Sequence, residues 1–170
     1  HNTVSLLAGA VPGIHYPISR YYIRRVRLMK DSPYVKPLIE AGYKIEPCIG
    51  SEKSTVVVEF PISIGDRNIK TQNEVSIWEK TALTAFIQKH WADNQVSVTI
   101  DFDPKTESDQ IKPILDIYQY DLKSISFLPR TDVSGSSGVI YHQLPYEEIS
   151  EEKYNELVKH IKKPDFSNIS

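Results

Sequence analysis

Apolar and polar residues alternate with a period of two from Gln95 to Phe102, which predicts a β-strand. The preceding segment, Glu74 to Trp91, carries large apolar residues at helical spacing and predicts a long amphipathic helix with both tryptophans in the core. The two elements meet at a polar corner, Ala92 to Gln95. Thr99 and Asp101 lie on the second face of the strand, which we expect to be exposed to solvent rather than to line a polar cavity.

Other strands follow from similar patterns. Thr55 to Phe60 is almost continuous in β-branched residues, which is typical of a strand covered on both faces. Tyr21 to Leu28 and Lys123 to Leu128 are predicted strands, and Val139 to Leu144 is predicted to be extended. Strands that alternate with helices favour parallel pairing through right-handed crossovers. The sequence therefore predicts an α/β sheet or part of a barrel.

Three further helices are predicted between or after these strands. One runs from Ser32 to Ala41, with Gly42 in the helix-ending position. A second runs from Thr106 to Tyr118, because Thr106 and Asp109 have the spacing of a capping box. Its buried stripe is predicted to contain Ile111, Ile114, Leu115, Ile117 and Tyr118. The last helix starts at Ser150 and runs to about Lys162.

The composition excludes few functions. The 170 residues are 40% apolar and 25% charged, which is ordinary for a soluble globular protein, and the net charge is only −2. This balance argues against a broad DNA-binding or membrane-binding surface, and no apolar run is long enough to cross a bilayer. A basic stripe from Arg20 to Arg27 is interpreted as the wet face of a strand. The single Cys48 can form neither an internal disulfide nor a zinc site, which favours a reducing, cytoplasmic location.

The first residues contain a candidate anion site. Thr3, Val4 and Ser5 place hydroxyl groups at a predicted helix start, whose unpaired N–H groups can receive an anion. Most helices that are capped by a hydroxyl group bind no ligand. The pattern alone therefore leaves two interpretations open, an anion-binding turn and an ordinary helix cap. The chain has no initiator Met and begins on this apolar segment, from which we expect a piece of a longer protein.

Five collinear stretches carry a family resemblance. They are TVSLLAGAVPGIHYPISRYYIRRVR at Thr3 to Arg27, TVVVEFP at Thr55 to Pro61, HWADNQVSVTIDFDP at His90 to Pro104, YQYDLKSISFLPR at Tyr118 to Arg130 and LPYEEIS at Leu144 to Ser150. Together they resemble the catalytic chain of ribonucleotide reductases, most closely the adenosylcobalamin-dependent class II enzymes. The resemblance implies the later strands and helices of that family's ten-stranded α/β barrel. Residues 1–130 would belong to the C-terminal portion of the barrel, and residues 131–170 to a flexible loop, an extended segment and a C-terminal helix.

The resemblance implies roles for particular residues. Thr3, Val4 and Ser5 would form the turn that binds the phosphates of a nucleoside triphosphate substrate. Reductases that receive their radical from a separate subunit carry two adjacent tyrosines where this chain has Ser126 and Phe127. Neither of these side chains can relay an electron and a proton as a phenol does. We therefore expect the radical to come from adenosylcobalamin, with no cofactor contact assigned to this chain.

The family's chemistry also needs several cysteines, and Cys48 matches none of their positions. We therefore expect the catalytic cysteines to lie in other parts of the reductase, and the isolated chain to be inactive. The implied partners are the remaining N-terminal part of the enzyme and a thioredoxin-type reductant. The residues themselves leave diphosphate and triphosphate substrates both open.

Two short features have competing explanations. His1-Asn2 followed by Thr3 resembles the downstream splice junction of an intein, with a cloning scar or plain sequence variation as the alternative. Asn94 and Gln95 are candidates for lining the barrel cavity at a strand start, with structural capping of the corner as an equal alternative. The histidines show no mutual metal spacing, so no metal ligand is predicted.

Two functions other than that of an enzyme segment stay open at this stage. The chain could be a split-gene or intein-derived C-terminal half that docks on a separate N-terminal half as a complementing binding module. It could also be a stand-alone nucleotide-binding protein. Binding of nucleoside triphosphate by this chain without a second polypeptide would distinguish a stand-alone nucleotide-binding protein from an enzyme segment and from a complementing module.

Overall fold

The computed structural model describes residues 13–65, 68–130 and 143–167, which form six β-strands and four α-helices. The strands are β1 (Tyr21–Met29), β2 (Lys44–Pro47), β3 (Thr55–Ser63), β4 (Thr99–Phe102), β5 (Ser126–Pro129) and β6 (Tyr146–Glu148). The α-helices are α1 (Val35–Glu40), α2 (Ile77–His90), α3 (Ile111–Tyr118) and α4 (Glu151–Val158). Two compact units are present. We call His1–Pro17 with Asn68–Gly138 the parallel unit, and Ile18–Arg67 with Val139–Ser170 the antiparallel unit.

The antiparallel unit contains a sheet with strand order β2-β3-β1-β6, in which every neighbouring pair is antiparallel. β1 pairs with β3 along its whole length, from Tyr21 opposite Ser63 to Met29 opposite Thr55. The predicted parallel pairing is therefore wrong for these strands. The reason is β2, which the apolar pattern does not predict. Its link to β3, residues 48–54, is too short for the helical crossover that parallel neighbours require.

The middle of the antiparallel sheet is well covered, as the continuous apolar run of β3 predicts. Val56, Val57, Val58 and Glu59 are all buried, although successive strand residues point to opposite faces. Glu59 is the one charged residue in this run, and its carboxylate contacts Arg25 in the neighbouring β1. Both faces of β3 are therefore removed from water.

The end of α1 requires a glycine, as predicted. Gly42 has a φ of +86°, the left-handed conformation that L side chains rarely adopt. A Cβ atom at this position would clash with the main-chain carbonyl of His160. Just beyond it, the Lys162 N–H donates to the Ala41 carbonyl at 2.8 Å. The chain that follows α4 therefore crosses directly over the end of α1.

The parallel unit contains the strand–helix–strand arrangement that the sequence predicts. β4 and β5 are parallel neighbours, from Thr99 opposite Ser126 to Phe102 opposite Pro129, and α3 lies between them in the chain. Ile77, Ile100, Phe102 and Ile114 form its buried core. This packing of helices against a parallel pair is typical of α/β folds.

β4 is shorter than predicted, because residues 95–98 are not part of the strand. Gln88 of α2 accounts for the difference. Its Nε2 donates to the carbonyls of Ala92 and Asn94 at 2.9 Å each, and its Oε1 accepts from the Val96 N–H at 2.9 Å. The Gln88 side chain thus holds the corner. The alternating apolar pattern in the sequence is therefore longer than the hydrogen-bonded strand β4.

The predicted apolar stripe on α2 is wrong only in part, because Trp78 packs against the core of the parallel unit and Ala85 is buried as predicted, but two large members are not. Trp91 is 87% exposed and Phe86 is 60% exposed. The face of α2 that is removed from solvent is mostly polar and comprises Ile77, Lys80, Thr81, Thr84, Ala85 and Gln88. These polar groups are satisfied within the unit: the hydroxyls of Thr81 and Thr84 donate to the carbonyls four residues earlier, at 2.8 and 2.9 Å.

The start predicted for the second helix is also wrong. α3 begins at Ile111 after a short 3₁₀ turn, and Thr106 lies before that turn without capping the helix. Ile114 is fully buried, but Leu115 and Ile117 are exposed, so the buried stripe is narrower than predicted. α4 is capped by Ser150 as predicted, with the Lys153 N–H donating to its hydroxyl at 3.2 Å, and it ends at Val158 rather than near Lys162.

Candidate functional site

Four charged side chains meet near the C-terminal ends of β4 and β5: Lys80, Asp101, Glu107 and Arg130. We call them the charged cluster. Functional sites in parallel α/β folds lie at this end of the strands, because loops from several strands converge there. The charged cluster is therefore the candidate site among the described residues.

Lys80 joins α2 to β4. Its ammonium group is buried and lies 2.9 Å from Asp101 Oδ1 and 3.0 Å from the Asp101 carbonyl oxygen. An ammonium group without a partner would be costly in the interior, and a carboxylate together with a carbonyl compensates much of that cost. The helix is therefore held to both the side chain and the backbone of one strand residue.

Arg130 joins the end of β5 to several neighbours. Its Nη1 donates to Asp101 Oδ2 and to Asn73 Oδ1 at 3.1 Å each, and its Nη2 donates to Glu107 Oε2 at 3.3 Å. Its main-chain N–H also donates to the Phe102 carbonyl at 2.8 Å. The planar guanidinium fork fixes the directions of these bonds, which an ammonium group does not do.

Glu107 closes the charged cluster through the backbone. Its Oε1 accepts from the Ile77 N–H at 3.0 Å, and its Oε2 accepts from the Asp103 N–H at 2.8 Å. The first bond satisfies one of the unpaired donors at the start of α2, and a carboxylate there is also favoured by the helix dipole. One side chain thus fixes both the start of α2 and the residue that follows β4.

The charged cluster is organised rather than reactive. Its two cations and two anions are paired with each other, and the remaining oxygen bonds go to main-chain N–H groups. Beside it, a hydrogen bond from the Lys105 N–H lowers the pKa of the Asp103 carboxyl. The arrangement can position the strand ends, but its charged groups are already engaged with protein.

Comparison with known proteins identifies the larger context. No family model matches the chain. Over 169 residues, 99% of its length, it is 52% identical to a "probable adenosylcobalamin-dependent ribonucleoside-triphosphate reductase" from Dictyostelium discoideum, and over 160 residues it is 48% identical to such a reductase from Euglena gracilis. The chain matches one segment of the class II ribonucleotide reductases. It spans only about a fifth of these relatives, 22% and 21% of their respective lengths.

A solved structure supports the same assignment. The crystal structure of a B12-dependent class II ribonucleotide reductase covers 94% of this chain with a TM-score of 0.76 and 38% identity, and the match spans 22% of that reductase chain. The predicted resemblance and the predicted fold class are therefore confirmed. The chain is mixed α/β and corresponds to part of the α/β barrel of a class II ribonucleotide reductase.

The residues that the reductase resemblance assigns to substrate phosphate lie outside the described residues. These are Thr3, Val4 and Ser5. The splice-junction residues His1 and Asn2 lie outside them as well. Their roles stay predictions.

Asn94 and Gln95 are described and are both exposed. They lie before the N-terminal end of β4, whereas the charged cluster lies at its C-terminal end. The Asn94 carbonyl accepts from Gln88, which agrees with the alternative of a structural corner. Lining of a reductase barrel cavity by these two residues stays a prediction.

A surface hollow of about 400 Å³ lies beside this corner. It is lined by residues 88–93 and 120–123. Its charges are partly paired: Lys89 lies 3.6 Å from Asp121, and Lys123 donates to the Asp93 carbonyl. No described group of three or more His, Cys, Asp or Glu residues could hold a metal ion, either here or elsewhere in the described ranges.

Sequence reasoning missed the charged cluster because Lys80, Glu107 and Arg130 are residue types that normally face solvent. A signal for it does exist in the sequence. Asp101 and Arg130 lie at or just after the ends of two strands that were predicted to be parallel, and such ends meet at one edge of a sheet.

Within the described residues, no helix combines the length and apolarity needed to cross a membrane.

Proposed function

We propose that this chain is one segment of an adenosylcobalamin-dependent ribonucleoside-triphosphate reductase, an oxidoreductase that converts a ribonucleoside triphosphate to the 2′-deoxy form. The observation that supports it is the collinear match at 52% identity over 99% of the chain to a reductase of that name. The match at 38% identity to a solved class II enzyme supports the same conclusion. A complementing binding module has no such observation in its favour.

The segment contributes part of the barrel wall and, in this proposal, the turn that binds the substrate phosphates. Thr3, Val4 and Ser5 offer two hydroxyls and main-chain N–H groups, the donors that a triphosphate requires. Changing Thr3→Val and Ser5→Ala in the complete reductase should raise the KM for the nucleoside triphosphate at least about tenfold, because each lost charge-assisted bond is worth about 1.5–3 kcal/mol. Ser54→Ala, which removes an exposed hydroxyl, is the control. An unchanged KM in the Thr3 and Ser5 variants would contradict this role.

The source of the radical is also part of the proposal. The side chain of Ser126 is exposed at the start of β5, and Phe127 packs edge-on against Phe102 with ring centroids 6.4 Å apart. Two non-phenolic side chains at this position support a radical that does not arrive through a tyrosine pair. Adenosylcobalamin bound to the complete enzyme would supply the radical instead. We assign no cobalamin contact to the described residues.

We further propose that the reactive cysteines, the rest of the barrel and a thioredoxin-type reductant come from outside this segment, in the cytoplasm. Cys48 is a buried thiol at the end of β2, and a buried thiol in this setting has little access to a substrate. The isolated chain should therefore show no turnover.

The test measures deoxynucleoside triphosphate formed in the presence of adenosylcobalamin and a dithiol. The complete reductase that carries this segment should turn over, and the isolated segment should not. Absence of turnover by the complete protein would overturn the proposed function, and turnover by the segment alone would overturn the proposed location of the cysteines. For His1, Asn2 and Thr3, the gene sequence upstream tests the splice-junction hypothesis separately.

A further inference from the structure

We propose that Arg130 is a positioning residue for the reductase reaction, and that it acts by fixing the C-terminal ends of β4 and β5 through the charged cluster. This inference rests on the proposed function and adds a residue to it. We class Arg130 as a positioning residue because its guanidinium is engaged by Asn73, Asp101 and Glu107.

The bonds of the charged cluster converge on three backbone segments. Lys80 holds the Asp101 carbonyl, Glu107 holds the N–H groups of Ile77 and Asp103, and the Arg130 N–H holds the Phe102 carbonyl. The Arg130 guanidinium links these pieces, because it contacts both carboxylates. Loss of its fork would therefore loosen α2, the end of β4 and the end of β5 together.

The cost of burying charge supports a positioning role. Replacing a buried ion pair by apolar residues of similar volume is often neutral or stabilising, so stability alone does not require four charged groups here. What the charged cluster provides is a single geometry with defined bond directions. Reaction rates depend strongly on such geometry, since a misplacement of about 1 Å can cost about a hundredfold in rate.

The antiparallel unit provides a matched control. Arg25 in β1 also uses its guanidinium fork to bridge two carboxylates, with Nε 2.9 Å from Glu59 Oε1 and Nη2 bonded to Glu147. The side chains of Arg25 and Arg130 are both mostly buried, with 12% and 28% exposure. Arg25 lies on the antiparallel sheet, and its side chain bonds to Glu59, Glu147 and the Leu144 carbonyl of the same unit.

The experiment compares R130K with R25K in the complete reductase. Both variants keep the positive charge and lose the fork, so both should lower the Tm. We expect only R130K to reduce kcat beyond its folded fraction, by about 10- to 100-fold. The KM for the nucleoside triphosphate should change less than about twofold, because the guanidinium is already engaged by the carboxylates of Asp101 and Glu107.

Equal kcat in the two variants, once corrected for the folded fraction, would overturn the inference. A raised KM for R130K at unchanged kcat would overturn it as well, because this would indicate a substrate contact. If R130K does not fold, K80M provides the same comparison, since Asp101 then keeps its bond to Arg130 while α2 loses its bond to the strand. Absence of activity in the parent enzyme would instead overturn the proposed function.

Discussion

Lys80 on α2 donates hydrogen bonds to Asp101 on β4 twice, once to the carboxylate and once to the main-chain carbonyl. Asp101 is in turn shared with Arg130, so one carboxylate serves two cations. The helix and both parallel strands are therefore connected through a single acidic residue.

Asp101→Asn should be more damaging than Lys80→Met. The amide leaves the buried Lys80 without a counter-charge and removes one of the two carboxylates that Arg130 contacts, and removal of one partner of a buried pair costs about 3–5 kcal/mol. Lys80→Met removes the buried cation itself and leaves Asp101 paired with Arg130, so we expect a smaller loss in the free energy of unfolding. Urea denaturation of the two variants checks the order. A larger loss for Lys80→Met would show that Asp101 is not the shared centre.

Gly42→Ala should destabilise the protein more than Gly50→Ala. Both glycines have positive φ, +86° and +82°, so each alanine takes on a left-handed cost of about 1–2 kcal/mol. Only at Gly42 would the new Cβ also clash with the His160 carbonyl, whereas nothing lies within 4 Å of the corresponding position at Gly50. Thermal unfolding measures the difference. Equal shifts in Tm would mean that the chain after α4 does not hold its place over α1.

Gln88→Ala should release the corner between α2 and β4. Three hydrogen bonds to the corner are lost at a buried position, and we expect a cost of about 1–3 kcal/mol together with faster hydrogen exchange at the Val96 amide. Gln119→Ala is the control, because its amide makes one exposed bond, to the Asp116 carbonyl, and should change stability by less than about 0.5 kcal/mol. Unchanged exchange at Val96 would contradict the role of Gln88.

Stability should fall at alkaline pH partly because of Tyr22. Burial raises the pKa of this phenol, and the nearby Tyr146 raises it further. The pKa of Tyr22 in the folded state lies above the unfolded value of about 10. The stabilising contribution of the neutral phenol is therefore fully present below about pH 10 and is lost as pH rises through the folded pKa. Tyr22→Phe should therefore reduce the loss of stability between about pH 9 and pH 11.5.

Tyr43→Phe is the comparison for this alkaline effect. Burial alone raises the pKa of Tyr43, and its side chain is less buried than that of Tyr22, so we expect a smaller change in the pH dependence. Urea midpoints measured across the alkaline range give both curves. A Tyr22→Phe curve that parallels the parent would show that this phenol does not contribute.

Much of the fold was predictable where local pattern and burial agree. The continuous apolar run of β3 predicted a strand covered on both faces, and Gly42 predicted the end of α1. The failures lie where a distant partner changes the environment of a residue. Lys80 is buried because Asp101 and its carbonyl lie 21 positions later, which helical spacing does not encode. β2 was missed because a four-residue strand that follows a short helix carries little periodic signal.

The candidate site was predictable only in part. The reductase resemblance came from five collinear stretches that are spread along nearly the whole chain, and the comparisons confirm it. Asn94 and Gln95 were singled out as candidates for lining the barrel cavity at a strand start. Both are exposed and lie at the opposite end of β4 from the charged cluster, and their cavity role stays a prediction. Periodicity identifies faces of an element, whereas it does not say which charged residues will meet at a sheet edge.

Glu107 caps the first turn of α2 from 30 positions later in the chain. While the polypeptide is being synthesised, the start of this helix has only the nearby Ser76 hydroxyl as a side-chain acceptor until Glu107 has been added. At roughly 5–20 residues per second, this interval lasts about 2–6 s. During that time, the leading turn of α2 lacks the second cap of the finished protein, so the start of this helix can be completed only after Glu107 has been added.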